Sequence, residues 1–266
     1  QFPTYVSHEV RADQNVVTLF LAVFSVGVGA GSILSSKLLK GEISARHVPF
    51  ACLGISLFAI DLYFASQHHA TATDGQLIGV GQYLAAPASW RVLVDLLGIA
   101  SCGGLFIVPL YTILQERSEA SHRSRVIAAN NTINALFMVV AAVAAAALLA
   151  VGFSVTDMFL IVGLANLPVV IYIAGLLPDA IVKTLLTSVL RFFYRVEIQG
   201  LEHYKAVDGP AVVVVNHVSF LDGVLLGALL PGRPMFAIDT FVAKQWWVRP
   251  MFKLVDARPL DPTNPL

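Results

Sequence analysis

Five long apolar runs dominate the first two-thirds of this chain and limit the folds open to it. A helix that crosses the hydrocarbon core of a bilayer takes roughly 20 apolar residues. Three of the runs carry no charge, and the other two carry one acidic residue each, Asp61 and Asp95. Because lipid supplies no hydrogen-bond partners to the backbone, such runs fold as helices. They predict five membrane-spanning helices, at residues 15–36, 48–66, 92–115, 126–150 and 158–178.

The overall composition is typical of a protein that keeps much of its surface in lipid. Hydrophobic residues make up 57% of the 266 residues and charged residues 13%, against roughly 25% charged residues in soluble proteins. The net charge is zero, so no overall field attracts phosphate groups. This composition excludes a disordered chain and argues against a nucleic-acid partner and against a purely soluble enzyme.

The charges divide the chain into two parts. The first 179 residues carry 18 charged side chains, and the last 87 carry 16. We expect a transmembrane part at 1–178, a linker helix at 179–195 and a more hydrophilic domain at 196–266. Cys52 and Cys102 lie inside apolar runs, which favours neither a disulfide framework nor a metal site. No metal and no cofactor is expected.

Basic residues are distributed unevenly between the connections. Short cytoplasmic connections of membrane proteins are enriched in lysine and arginine. The segments after the first, third and fifth predicted helices carry three basic residues each, whereas the other segments carry one, one and none. This alternation places the N-terminus outside and the domain at 196–266 in the cytoplasm. The basic residues concerned are Lys37, Lys40, Arg46, Arg117, Arg123, Arg125, Lys183, Arg191 and Arg195.

Several polar side chains lie inside the predicted membrane helices, where they are costly and often functional. Asp95 lies one turn after Arg91, so an ion pair within one helix is expected. Asp61 has no such neighbour in sequence and is a candidate for a transport pathway. Three asparagines near the start of the fourth helix either line such a pathway or bond between helices, which the sequence leaves open: Asn130, Asn131 and Asn134.

Small residues recur four apart in the first predicted helix, as Ser25 and Gly29 and as Gly27 and Gly31. This spacing lets two helices approach closely in lipid. The glycines lack the preceding strand and the spacing of a dinucleotide-binding loop. We therefore expect close helix packing along this stripe.

Two neighbouring segments carry a family likeness, Gln-Glu-Arg-Ser at 115–118 and His-Arg-Ser-Arg-Val-Ile-Ala-Ala-Asn-Asn at 122–131. They resemble the bacterial lysophospholipid transporters of the major facilitator superfamily, in which a basic cytoplasmic loop leads into a helix that starts with paired asparagines. The resemblance covers about residues 1–178. It implies the C-terminal half of that α-helical membrane bundle, without its first helix, in the bacterial inner membrane. This chain is then expected to be a fragment of a longer multi-pass protein.

The segment after the last predicted span has two faces. On a helix, the apolar residues between Ile181 and Phe193 form one stripe, and Lys183 and Arg191 lie on the other side. A helix of this kind lies in the headgroup region of a membrane. The alternative is a short soluble helix that packs on the following domain. Because the segment directly follows a span, the interfacial helix is favoured.

Strand and helix patterns alternate in the remaining residues, which predicts an α/β domain. Short strands are expected at 196–200 and 234–238, and the β-branched run at 211–215 is typical of a buried strand. One apolar helix is expected to end near Leu230, and another to occupy 240–255.

His217 and Asp222 are the candidate catalytic residues. A histidine and an aspartate five apart occur four times in the chain, but only this pair lies between a predicted buried strand and a helix. Ser219 there offers a cap for the helix. A neutral histidine suits proton removal from a hydroxyl near pH 7, and an aspartate fixes its tautomer and stabilises the imidazolium. The alternative is that both residues only cap the helix.

The run at 216–222, Asn-His-Val-Ser-Phe-Leu-Asp, resembles the first signature block of the glycerolipid acyltransferases, Asn-His-x-Ser-x-x-Asp. Further segments strengthen a likeness to the 2-acylglycerophosphoethanolamine acyltransferases over about 181–266, namely 191–195, 223–227, 245–249 and 259–265. The resemblance implies that His217 is the general base and Asp222 its partner, with substrate contacts by Asn216 and Ser219. It also implies a lysophospholipid acceptor in membrane lipid, and acyl carrier protein or coenzyme A as the carrier of the donated acyl group.

The chain departs from the family pattern at one position. Many relatives hold the phosphate with an arginine in the second block, where this chain has Asp261 and Pro262. Arg258 is the candidate substitute. The later block Phe-Pro-Glu-Gly is not reached by residue 266, so the α/β domain is expected to be incomplete and inactive by itself.

Three functions remain open from the sequence. The first is a membrane-bound O-acyltransferase that re-acylates lysophospholipid and is fused to a lysophospholipid transporter. The second is a transport protein of the major facilitator superfamily with an inactive or regulatory cytoplasmic domain. The third is an anchoring or interaction module. The fusion favours the first, because a transporter that delivers lysophospholipid to the leaflet facing His217 raises its local concentration.

Overall fold

The structure is a computed structural model that describes residues 2–39, 44–67, 77–207, 209–216, 218–231, 234–240, 244–245 and 256–260. The chain divides into two compact units, Gln1–Leu177 and Pro178–Leu266. The first unit is helical, and the second combines helices with a pair of strands.

The first unit opens with a short helix, α1 (Phe2–Thr4), that continues as a π-helix (Tyr5–Val10). A short helix α4 (Val80–Ala85) precedes α5. The long helices are α2 (Gln14–Leu39), α3 (Val48–Ser66), α5 (Pro87–Arg117), α6 (Arg123–Val151) and α7 (Val155–Leu176). All five are long and apolar enough to cross a membrane, which confirms the five predicted helices. Helix α5 begins earlier than predicted, at Pro87, because proline is favourable at a first helical position.

The buried core of the first unit lies where the π-helix meets the long helices. Tyr5 contacts the ring of Phe159 edge-on, with 5.4 Å between centroids. Phe20 contacts Tyr83 in the same manner at 5.6 Å. Burying such rings removes a large apolar area from water. No structure was predicted for residues 2–10, so the buried side chains that this N-terminal segment adds to the core were not expected.

Glycines bring α2 and α5 into close contact. A Cβ atom added at Gly31 would lie 2.0 Å from the carbonyl oxygen of Ser101, and one added at Gly27 would lie 2.6 Å from Cβ of Ala100. At Gly29 a Cβ atom would meet nothing within 4 Å. Close packing is therefore confirmed for the stripe of Gly27 and Gly31, whereas Gly29 lies beside it.

This difference predicts opposite outcomes for two neighbouring alanine substitutions. We expect Gly31→Ala to lower the free energy of unfolding by about 1–3 kcal/mol, since the added methyl group collides with rigid backbone. Gly29→Ala, the matched control, should be neutral or stabilising by up to about 1 kcal/mol through helix propensity. Reversible unfolding in detergent micelles, followed by circular dichroism, measures both. Equal losses in the two variants would contradict the close approach at Gly31.

A polar contact joins α3 and α7. The side-chain amide of Asn166 donates to the carbonyl oxygen of Cys52 and to the hydroxyl of Ser56, each at 3.0 Å. Side-chain hydrogen bonds of this kind link helices in membranes. Asn166 was not predicted as a contact residue, because its partners on α3 are more than a hundred residues away in sequence.

The second unit contains α8 (Pro178–Phe193), α9 (Leu201–Lys205), α10 (Phe220–Leu229), β1 (Met235–Asp239) and β2 (Asp256–Leu260). The two strands pair in parallel, with Met235 opposite Asp256. A parallel pair needs a crossover connection between its strands, which is typical of α/β architecture. The expected strand at 234–238 and the expected helix ending near Leu230 are confirmed. The helix expected at 240–255 falls almost entirely outside the described residues.

Two predicted strands are wrong. Residues 196–200 and 211–215 form no regular secondary structure. The run expected to be buried is instead exposed, with Val212 at 91% and Val214 at 90%. A strand is completed by hydrogen bonds to a neighbouring strand, and within the described part of the chain neither segment has one. β-branched composition favours an extended backbone, but it does not supply this partner.

Candidate active site

The acyltransferase-like motif lies at the start of α10. Ser219 is the N-cap residue, and its hydroxyl accepts a hydrogen bond from the backbone N–H of Leu221 at 3.2 Å. Asp222 lies three residues later, and its Oδ2 accepts from the backbone N–H groups of Val218 at 2.7 Å and Ser219 at 2.8 Å. The two side chains form a capping box, which satisfies amides that a helix start leaves unpaired.

Asp222 is therefore held in place by the backbone N–H groups of the two residues that precede α10, Val218 and Ser219. A carboxylate at a helix N-terminus is also favoured by the helix dipole. The structure thus contains the helix cap that was the alternative to a catalytic role for Asp222. His217 lies outside the described residues, so its partnership with Asp222 stays a prediction. Capping and catalysis are compatible, because the cap uses Oδ2 and fixes the carboxylate beside the residue that follows His217.

The remaining predicted substrate contacts lie on different elements. Asn216 precedes the helix and is exposed, and so is Ser219, whose hydroxyl serves the cap. Arg258 lies on β2, opposite Ala237 of β1, and is exposed. Exposed polar side chains of this kind are available to a ligand, and the assignment of these three residues to substrate binding stays a prediction.

Helix α8 packs on the end of α10 through its polar side. Lys183 donates from Nζ to the carbonyl oxygen of Leu230, and Thr187 donates from Oγ1 to that of Ala228 at 3.0 Å. Carbonyl groups at a helix C-terminus lack partners within the helix and favour a cation. The opposite side of α8 is apolar and exposed, with Phe192 at 83%. The amphipathic pattern thus directs polar groups toward protein and apolar groups away from it.

The expected pair of Arg91 with Asp95 is wrong. Arg91 instead reaches across to α3, where its Nε donates to Oδ2 of Asp61 at 3.0 Å and its Nη2 donates to Oδ1. The planar guanidinium matches a carboxylate in this two-point manner. Asp95 lies on the buried side of α5, among Val92 and Leu96, and both oxygens of Asp61 bind the guanidinium of Arg91 in its place.

The three asparagines of α6 meet one hydroxyl of α5. The Nδ2 groups of Asn130 and Asn134 donate to the hydroxyl oxygen of Tyr111 at 3.0 and 3.3 Å, and this hydroxyl donates to Oδ1 of Asn131 at 3.4 Å. A tyrosine hydroxyl donates once and accepts twice, so Tyr111 uses its full capacity here. These hydrogen bonds link α5 to α6. A role in a transport pathway stays a prediction, and Tyr111 was missed by the sequence analysis.

The connection between α2 and α3 holds a histidine and an arginine together. Arg46 donates from Nε to Nε2 of His47 at 3.0 Å and from Nη2 to the carbonyl oxygen of Leu38 at 2.6 Å. Burial, and then the positive charge of Arg46, lower the pKa of His47. A neutral imidazole can accept the hydrogen bond from Arg46. Arg46 also donates to the carbonyl group of Leu38, which lies at the end of α2 and lacks a partner within the helix.

Comparison with known proteins assigns the C-terminal part of the chain. Residues 195–266 match the model of the family described as Acyltransferase. No solved structure matches the chain. The matched segment contains the motif at the start of α10 and both strands, so the C-terminal part of the chain is similar to acyltransferases. The five apolar helices of the first unit indicate association with a membrane.

Proposed function

We propose that this chain belongs to a membrane-bound O-acyltransferase that re-acylates lysophospholipids. The observation that carries the proposal is the match of residues 195–266 to acyltransferases, with Ser219 and Asp222 fixed at the start of α10. The acceptor is the free glycerol hydroxyl of a lysophospholipid. The acyl group comes as a thioester of acyl carrier protein or coenzyme A, as in the 2-acylglycerophosphoethanolamine acyltransferases that the chain resembles.

In the proposed reaction, His217 removes the proton of the glycerol hydroxyl as its oxygen attacks the thioester carbonyl. The carbon–oxygen bond forms, and a tetrahedral oxyanion results. When this intermediate collapses, the carbon–sulfur bond breaks, and the leaving thiolate is protonated by the imidazolium of His217. Asp222 fixes the tautomer of His217 and stabilises its charged form, as carboxylates do beside a general base. Asn216, Ser219 and Arg258 are proposed to bind the substrate, Arg258 through its phosphate.

The membrane gives this reaction its acceptor, and α8 is proposed to lie on it. The support is the arrangement of α8, whose polar side binds the end of α10 while its apolar side is exposed. An amphipathic helix with such a face binds at the boundary of headgroups and acyl chains. The proposed orientation, with this surface on the cytoplasmic side, is supported by the basic connections, and the bacterial inner membrane is what the resemblance to the transporters implies.

Labels on two sides of α8 test this placement. Val189 and Arg191 lie about 200° apart around the helix, at 100° per residue. With Cys52 and Cys102 replaced by alanine, we expect a nitrobenzoxadiazole label on Val189→Cys to emit at shorter wavelength in phospholipid vesicles than the same label on Arg191→Cys. Lipids brominated on their acyl chains should quench only the Val189 label. Equal emission and equal quenching would mean that α8 does not lie on the membrane.

A second function, lysophospholipid transport, is proposed for the helical unit. Its support is the likeness of 115–131 to the transporters, together with the Asp61–Arg91 pair between membrane helices, since charged groups there usually serve function. An apolar cavity of about 250 Å³ between α2, α3 and α5 can take part of an acyl chain, and its lining includes Phe24, Val28, Ile55, Ile99 and Val108. The enzyme and the transporter would then act on one lipid in succession.

The two functions are separated by measuring them in one preparation. The gene product that carries this chain is reconstituted in vesicles, and formation of diacyl phospholipid and uptake of labelled lysophospholipid are recorded separately. Loss of acyl transfer in His217→Ala with uptake retained is the expected result. Unchanged acyl transfer in that variant would leave the alternative, a transport protein with an inactive or regulatory second unit.

A further inference from the structure

Two carboxyl groups, those of Asp61 and Asp95, lie near one guanidinium between α3 and α5. Asp61 and Arg91 are paired through both oxygens of the carboxylate. Asp95 is a close neighbour of Asp61, and the two carboxyl groups interact. With every group in its ordinary charged form, this cluster of Asp61, Arg91 and Asp95 carries a net charge of −1. A net charge inside a membrane bundle is costly.

Asp95 is the group that the pairing leaves unsatisfied. The residue is 2% exposed. Its Oδ2 atom is buried, and the described residues offer it no hydrogen-bond partner. Both oxygens of Asp61 already bind Arg91, so the guanidinium is committed to the other carboxylate. A buried charge without a donor is far more costly than a neutral acid in the same place.

Among the residues that the structure describes, the groups packed around Asp95 from the other elements supply no further positive charge. Tyr5 and Glu9 lie on the π-helix, and burial raises the pKa of Tyr5 to about 12. The Tyr5 hydroxyl also bonds to Oγ of Ser66 at 2.7 Å. On α4, burial raises the pKa of Tyr83 as well. Helix α2 contributes the apolar Phe20 to this core. Arg91 is therefore the positive charge that the described residues place beside Asp61 and Asp95.

We propose that Asp61, Arg91 and Asp95 form a binding site for one exchangeable proton. The proton forms an O–H bond with a carboxylate oxygen of Asp95, and the net charge of the cluster changes from −1 to zero. It comes from water, and the route passes the Asp61–Arg91 pair, whose side chains are 43% and 51% exposed. Release reverses the same bond. Proton binding does not require transport by the helical unit, whereas coupling of the proton to lysophospholipid movement rests on that proposed function.

Infrared difference spectroscopy tests the site in the chain reconstituted in vesicles. Between acidic and alkaline pH, we expect a carbonyl band of a protonated carboxyl group that moves in D₂O. Asp95→Asn should lack this band. Asp157→Asn is the control, because Asp157 caps the start of α7 through Ser154 and lies outside the cluster. Loss of the band in both variants, or in neither, would overturn the proposal.

A second variant separates a proton site from a purely structural carboxyl group. Removing a positive charge that lies near a carboxyl group favours the protonated form of that carboxyl group. We therefore expect Arg91→Gln to move the midpoint of the band to higher pH by about one unit or more. Circular dichroism verifies that the helices are retained. An unchanged midpoint in folded Arg91→Gln would show that Asp95 does not share a proton site with Arg91. Uptake of lysophospholipid, measured at both pH values, reports separately on coupling.

Discussion

We expect replacement of His217 by alanine to lower acyl transfer by about 10²–10⁴-fold, the range that a general base contributes. In the proposed reaction, the imidazole takes the proton from the glycerol hydroxyl as it attacks the thioester, and alanine cannot do so. The measurement is formation of diacyl phospholipid from lysophospholipid and a labelled acyl thioester, in vesicles that contain the gene product. Uptake of lysophospholipid should stay at its original rate, because His217 lies in the segment that matches acyltransferases and not in the helical unit.

The chain contains a matched control for this experiment. His203 precedes Asp208 with the same spacing of five residues, but it lies on α9, and its side chain is 88% exposed beside Glu202. We expect His203→Ala to retain full acyl transfer. A similar loss in both variants would show that the domain is damaged by histidine removal in general, and it would contradict a specific role for His217.

Asp222 needs a variant that keeps its structural contacts. Asparagine retains an oxygen that can accept from the N–H groups of Val218 and Ser219, so Asp222→Asn preserves the cap while it removes the charge. If Asp222 stabilises the imidazolium of His217, acyl transfer falls in this variant although α10 remains intact. Full activity of Asp222→Asn would mean that Asp222 only caps the helix.

If the helical unit transports lysophospholipid as proposed, we expect that breaking the ion pair between α3 and α5 lowers uptake by about an order of magnitude or more. In Asp61→Asn the guanidinium of Arg91 loses its two-point partner, and in Arg91→Gln two carboxyl groups remain without a cation. Either change removes one partner of the ion pair and leaves the other charged group without it between membrane helices, which disfavours the paired arrangement. Uptake into vesicles measures the effect, and acyl transfer to lysophospholipid supplied on the cytoplasmic side should be unchanged.

An exchange of the two charges makes this prediction specific. The double variant Asp61→Arg with Arg91→Asp restores opposite charges across α3 and α5. We expect partial recovery of uptake, because the new aspartate lies one turn from Asp95 and is repelled by it. Glu119→Gln, in the connection after α5, is the control and should leave uptake unchanged. Wild-type uptake in both single variants would remove the ion pair from the proposed transport pathway.

The sequence predicted most reliably what depends on neighbours along the chain. The five long helices follow from runs of apolar residues, since length and hydrophobicity alone decide whether a segment can cross lipid. Helix α10 begins at Ser219 because serine and an acidic residue three positions later form a capping box. Close packing of α2 at Gly27 and Gly31 was likewise predicted, from small residues one turn apart.

The tertiary structure decided the contacts between residues far apart in sequence. Arg91 pairs with Asp61 rather than with Asp95, because the packing of α3 on α5 brings a second carboxylate to the side where Arg91 lies. Asn166 and Tyr111 acquire partners only when their helices meet. No local pattern identifies these partners, since each depends on which face of a helix is turned toward its neighbour.

The same division holds in the second unit. Local pattern determined the amphipathic α8, but only packing showed that its polar side binds the C-terminal carbonyl groups of α10. The run at 211–215 has the composition of a strand, yet it lies exposed and irregular, because a strand needs a partner as well as a favourable sequence. Sequence alone therefore determined which segments are apolar, helical or motif-bearing. The tertiary structure decided which polar groups meet, because hydrogen bonds and ion pairs between elements depend on distance in space.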